Sequence, residues 1–187
     1  MSDEHHSGLD RRRFLSLCSR AALLAFAPLP WPAAVAARVP RDPRLALYNT
    51  HTGESLTCVY RRDGTILPDA MAALSHILRD HRTDEVKTID ARLLDLLAEL
   101  ARRLDCREPF HVISGYRSPA TNAALRRQSR GVAHRSYHLQ GKAIDVRLPG
   151  VDTAVLWRAA LREQGGGVGH YPRSDFIHLD TGPVRQW

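Results

Sequence analysis

The chain has 187 residues, enough for one domain with an appended tail, and 27 Lys+Arg against 20 Asp+Glu give it a formal charge of +7. With 43% apolar and 25% charged residues it is not a wholly disordered chain, and three cysteines are too few for a disulfide scaffold. It has no run of ~18 apolar residues, which excludes an ordinary membrane span.

Residues 1–37 read as an address. Arg11-Arg12-Arg13-Phe14-Leu15 resembles a twin-arginine export signal. A short apolar run, Ala21–Leu29, follows it, and then the small-residue stretch Ala33-Ala34-Val35-Ala36-Ala37 that a signal peptidase accepts. Pro28, Pro30 and Pro32 argue against a first helix of the domain here. The mature domain is then 38–187, in the periplasm. Removing residues 1–37 takes away four arginines and three acids and leaves a net charge of +6. That charge suits anionic polymers such as cell-wall components. Outside the cytoplasm, nucleic acid is not an expected partner. Cys58 and Cys106 remain, and a disulfide between them requires a proximity the sequence does not reveal.

Along the domain, Arg44–Tyr48 and Ser55–Arg61 read as strands of a hairpin around the polar turn Asn49–Glu54, and Asp63-Gly64 turns the chain again. Pro68–Arg79 has helical apolar spacing. Asp90–Leu104 is the strongest helix, with a broad leucine stripe from Leu93 to Leu104. Phe110–Ser114 reads as a buried strand. Ser118-Pro119 caps and opens a helix through Arg127, Ser129–Gln140 reads as a loop and Lys142–Leu148 as a strand. Asp152–Gln164 is a helix stopped by three glycines, and Val168–Tyr171 and Phe176–Asp180 are closing strands. The pattern predicts an α+β fold: an antiparallel sheet carrying the functional site, with helices packed on one side.

The chemistry concentrates in residues 114–180. Alternation along Lys142–Leu148 sets Ala143, Asp145 and Arg147 on one face and Ile144, Val146 and Leu148 in the core. The same rule puts Phe176, His178 and Asp180 on one face of the last strand. His138, seven residues before Asp145 with Gly141 between, sits where a turn points it back at that carboxylate. Two histidines and one carboxylate with an open fourth position form a recurring catalytic zinc sphere.

Ser136, His138, Gly141, Ala143 and Asp145 fit the S-x-H-x-x-G-x-A-x-D motif, which resembles that of the zinc D-alanyl-D-alanine peptidases. The phrases NTHTGESL, ISGYRSPATNAALR, SYHLQGKAIDVRL, GGVGHYP and FIHLDTGPVR are similar to the murein endopeptidase K branch of that family over roughly Leu45–Trp187. The resemblance implies zinc held by His138, Asp145 and His178, peptidoglycan as substrate, and hydrolysis of D-amino-acid crosslinks of the D-Ala–diaminopimelate type. It also implies that Arg117 contacts substrate and the developing oxyanion. Ser136 and Gln140 flank the ligand as candidate substrate contacts. The general base is Asp180, which shares a face with His178, or Asp175, which stands three residues before His178 where dipeptidase relatives place a glutamate. Asp180 is the first choice on strand geometry. His134 and His170 are expected bystanders. A monomer is expected. The alternatives are a D,D-carboxypeptidase and a non-catalytic wall-binding module with a structural zinc.

Overall fold

The computed structural model describes residues 42–129 and 131–187; the export signal and the domain start at residue 38 lie outside them. Two strands, β1 (Arg44–Asn49) and β2 (Ser55–Val59), form the expected antiparallel hairpin. A miniature hairpin, β3 (Arg61–Arg62) and β4 (Thr65–Ile66), turns on Asp63-Gly64. Helices α1 (Pro68–Ile77) and α2 (Ala91–Arg103) follow, then β5 (Phe110–Ser114) and α3 (Pro119–Gln128). The chain ends with β6 (Ala143–Arg147), α4 (Thr153–Glu163), β7 (Gly167–Tyr171), β8 (Phe176–Asp180) and β9 (Arg185–Gln186).

The helix starts have visible causes. Asp90 accepts a hydrogen bond from the Arg92 amide at 3.0 Å, and Asp152 one from the Ala154 amide at 2.8 Å. Ser118 accepts from the Thr121 amide, with Pro119 in the first turn. On α2, Leu93, Leu94, Leu96, Leu97 and Leu100 are all buried, each stabilising the fold by roughly 1.5–3 kcal/mol of transfer free energy.

Among the described residues, seven strands form one sheet in the order β2-β1-β5-β6-β8-β7-β9. It is mostly antiparallel, as expected, but β1 pairs β5 and β7 pairs β9 in parallel. The core joins α1, α2 and α4 to one sheet face through Leu45, Leu47, Val112, Ile144, Val146, Ile177 and Leu179. Asp145 and His178 project from the other face. The stretch expected as a loop contains a 3-10 turn, Tyr137–Gln140, because Ser136 caps it. Cys58 and Cys106 are free thiols.

Candidate metal centre

Two central strands and one turn bring the expected residues together. Asp145 on β6 pairs in register with His178 on β8, so alternation points both side chains out of the same face. His138 arrives on the 3-10 turn. Ser136 starts that turn by accepting the His138 amide, and Gly141 ends it in the left-handed conformation, φ 66°. A Cβ at Gly141 would collide with the Thr88 carbonyl, so only glycine closes this turn against its neighbour. His138, Asp145 and His178 are all buried or nearly so, and one donor atom of each lies within 4.8 Å of the others.

Proton positions follow from the outer partners. His138 Nδ1 lies 2.7 Å from the Gly115 carbonyl, which only accepts, so Nδ1 carries the proton and Nε2 is bare. His178 Nε2 lies 2.9 Å from Asp180 Oδ2, so in the neutral ring Nδ1 is bare. The two bare nitrogens face each other at 3.2 Å, and Asp145 Oδ1 lies 2.8 Å from one and 3.3 Å from the other. With both rings neutral, three lone pairs converge on one point, and a cation there can take the place of the proton that His178 would otherwise hold against Asp145. The donor set fits a divalent metal that accepts nitrogen and oxygen ligands.

Charge follows the same plan. Burial works against ionised Asp145, but His138 and His178 hold it far below the usual carboxylate range. Burial pushes His138 down, which favours the neutral, ligating ring. Burial also opposes a charge on His178, but Asp145 and Asp180 outweigh it and raise that ring's pKa. The other oxygen of Asp145 takes Nη2 of Arg117, whose Nε donates to Ser114 Oγ at 2.8 Å.

Asp180 is fully buried. Its Oδ1 accepts from the amides of Gly167 (3.2 Å) and Gly182 (2.9 Å), and Arg185 donates to both oxygens at 3.0 and 2.7 Å. Asp175 lies in the turn before β8 with φ 52°; its carboxylate is exposed and touches Arg147 at 3.5 Å. A cavity of about 440 Å³ lies over the centre, lined by Arg117, Ser136, Tyr137, Tyr171, Phe176 and Trp187 among others. Gln140 and His134 are exposed and take no part in that lining. His170 faces away, stacked on Trp157 with ring centroids 5.3 Å apart.

Four further residues belong to the site: Arg185, Trp187, Tyr171 and Gly169. Arg185 clamps Asp180. Trp187 stands 5.3 Å from the His178 ring and donates its indole N–H to Tyr171 Oη at 2.8 Å. Gly169 makes room for that indole, since a Cβ there would lie 2.6 Å from it. Gly169, Tyr171 and Arg185 lie within the family-like phrases GGVGHYP and FIHLDTGPVR, but spacing alone reads the glycine run only as a helix stop and gives none of them a role.

The family model described as "Peptidoglycan L,D-endopeptidase MepK" matches residues 36–187. A peptidoglycan L,D-endopeptidase MepK of Escherichia coli (strain K12) is 44% identical over 178 residues, covering 95% of this chain and 97% of its own length. A probable peptidoglycan L,D-endopeptidase MepK of Haemophilus influenzae is 41% identical over 179 residues, covering 95% of each.

Proposed function

This chain belongs to the peptidoglycan L,D-endopeptidase MepK family, and from that membership we propose that it hydrolyses an L,D crosslink of peptidoglycan with one zinc ion held by His138, Asp145 and His178. It is a peptidoglycan-hydrolysing metallopeptidase. The observation that carries the ligand assignment is the convergence of three lone pairs, from His138 Nε2, His178 Nδ1 and Asp145 Oδ1. The relatives' name refines the choice of bond. A D-Ala–diaminopimelate link joins two D centres, whereas an L,D bond joins one L to one D centre, and the proposal takes the latter.

When bound, zinc supplies Lewis acidity toward water and toward the scissile carbonyl. The protein supplies the rest. Arg117, fixed by Ser114 and Asp145, presents its guanidinium to the cavity, where it stabilises charge developing on the carbonyl oxygen. Asp180 holds His178 in the tautomer that leaves Nδ1 bare. This carboxylate, the first choice for general base on strand geometry, already accepts from His178, Arg185 and two amides. The proton-transfer role is therefore given to Asp175, whose exposed carboxylate lies outside the cavity lining with one long contact to Arg147, and which acts once it leaves Arg147 and turns toward the centre. In this scheme Asp175 takes the proton of the attacking water and delivers it to the leaving amine. Ser136 caps the turn that carries His138 and borders the cavity, so it acts on the ligand first.

Peptidoglycan lies outside the cytoplasmic membrane, and residues 1–37 supply a route there by twin-arginine export, leaving a monomeric domain from residue 38. Replacing Arg11 and Arg12 by lysine should then retain the protein in the cytoplasm; normal export of the double mutant overturns that route. The central test uses the purified mature chain on defined muropeptide dimers. Loss of L,D-linked dimers, abolished by chelator and restored by Zn²⁺, is expected. Loss of terminal D-Ala without dimer cleavage supports the carboxypeptidase instead, and binding without any cleavage supports the wall-binding module.

A further inference from the structure

The sheet face that carries the metal centre holds a second row of side chains, unused in the reaction above. Tyr48 is level with His111 across β1–β5, His111 with Arg147 across β5–β6, and Tyr171 with Phe176 across β7–β8. Val146 faces Ile177, so Arg147 comes level with Phe176. The row therefore crosses five adjacent strands. It runs two residues, about 6.6–6.8 Å, from the row of Asp145 and His178. Alternation places it opposite the core residues Leu47, Val146 and Ile177. None of its members is fully buried.

The row has a definite chemistry. Tyr48 and His111 pack with ring centroids 5.0 Å apart, and Tyr171 stacks on Phe176 at 4.7 Å. Arg147 lies between the two aromatic pairs. Its ionic partner among the described residues is Asp175, in a single 3.5 Å contact with side chains 41% and 65% exposed. A contact of that kind contributes about 0–1 kcal/mol, so an incoming carboxylate displaces it at little cost. A guanidinium set in register between two aromatic pairs can take a carboxylate in its plane through two parallel hydrogen bonds. The chain's positive charge draws in an acidic ligand.

Stem peptides of peptidoglycan carry free carboxylates along their length. We propose that Arg147, between the Tyr48–His111 and Phe176–Tyr171 pairs, is a subsite for a free carboxylate of the stem peptide, about two residues from the bond being cut. This rests on the hydrolytic reading above and deepens it: Arg147 selects acidic over amidated stems.

The test compares a crosslinked muropeptide bearing free stem carboxylates with its amidated counterpart. On the unmodified chain the acidic substrate should have a KM lower by about tenfold, the scale of one charge-assisted pair. Arg147→Gln should erase that difference by raising KM for the acidic substrate alone, with kcat within about threefold; Arg147→Lys should recover part of it. Equal penalties on both substrates, or a matching fall of kcat on both, overturn the proposal and make Arg147 a positioning residue for Asp175. Calorimetry with an uncrosslinked acidic stem peptide reads the subsite without turnover. A tenfold weaker affinity in Arg147→Gln supports it even if no crosslink is cut, in which case only the hydrolytic reading fails. Unchanged affinity overturns the subsite.

Discussion

Asp180 accepts the Nε2 proton of His178 at 2.9 Å, and this one hydrogen bond decides which nitrogen of His178 faces Asp145 and His138. The carboxylate is in turn fixed by Arg185 and by the amides of Gly167 and Gly182. Asp180→Asn keeps the shape but loses the charge and the certainty of the tautomer. Metal affinity should fall about 10–100-fold, measured by competition with a chromophoric chelator. Asp175→Asn should instead leave metal affinity unchanged while turnover drops on the order of 10²–10⁴-fold. The reverse pattern would return the base to Asp180.

Removing the metal should cost stability, because a ligand bound only by the folded chain stabilises that state. Ligand binding at 100 times its Kd stabilises by ~2.7 kcal/mol, which for a domain of this size raises Tm by roughly 5–10 °C. Calorimetry with and without chelator measures it. His138→Ala, Asp145→Ala and His178→Ala should each abolish both the Zn²⁺-dependent rise and activity. A full rise in any of the three removes that residue from the ligand set.

Gly169 lies beneath Trp187, and a methyl group at that position would come within 2.6 Å of the indole. Gly169→Ala should push the ring outward, shift Trp187 emission to the red and break the bond to Tyr171. Gly167→Ala meets Asp180 and Arg185 at 2.5 Å, and should weaken metal binding rather than alter fluorescence. Unshifted emission in Gly169→Ala means that the indole is not seated there.

Acid should attack the fold through Asp80. Its carboxylate is buried and accepts the amides of Ser118 at 2.7 Å and Arg82 at 2.9 Å. Burial works against the charge, yet the hydrogen bonds of Thr121, Ser118 and Arg82 outweigh it and hold the pKa at about 2. An unfolded aspartate titrates near ~3.9. The folded value is the lower one, so this contribution is complete above pH ~4 and is lost as pH falls toward 2. It amounts to about 2 kcal/mol. Asp80→Asn should lower stability at pH 7 and flatten its dependence between pH 5 and 2, followed by urea unfolding. An unchanged slope would assign the acid sensitivity elsewhere.

Much of this arrangement was legible in residue order. Period-two alternation put Asp145 and His178 on one face, and the leucine stripe of α2 announced its buried side. What stayed hidden was tertiary. Alternation placed Asp180 beside His178, but only folding shows Arg185, Gly167 and Gly182 consuming its lone pairs, because those partners come from β9, β7 and the turn after β8. The parallel pairing of β1 with β5 joins strands separated in sequence by β2, β3, β4, α1 and α2, a long-range contact that no local pattern encodes. Gln140 sits next to a ligand in the chain yet points to solvent, since a 3-10 turn distributes side chains over three directions.

The two walls of the cavity differ in how they are anchored. Asp145 and His178 sit on β6 and β8 in the interior of the seven-stranded sheet, whereas Arg185 belongs to the two-residue edge strand β9 and Trp187 follows it. Amide exchange should therefore be slowest at the ligand strands and fastest at residues 185–187, where local opening needs only a few broken bonds. The metal-facing floor and its aromatic rim should then live on different clocks, the rim fraying while the floor stays shut to deuterium.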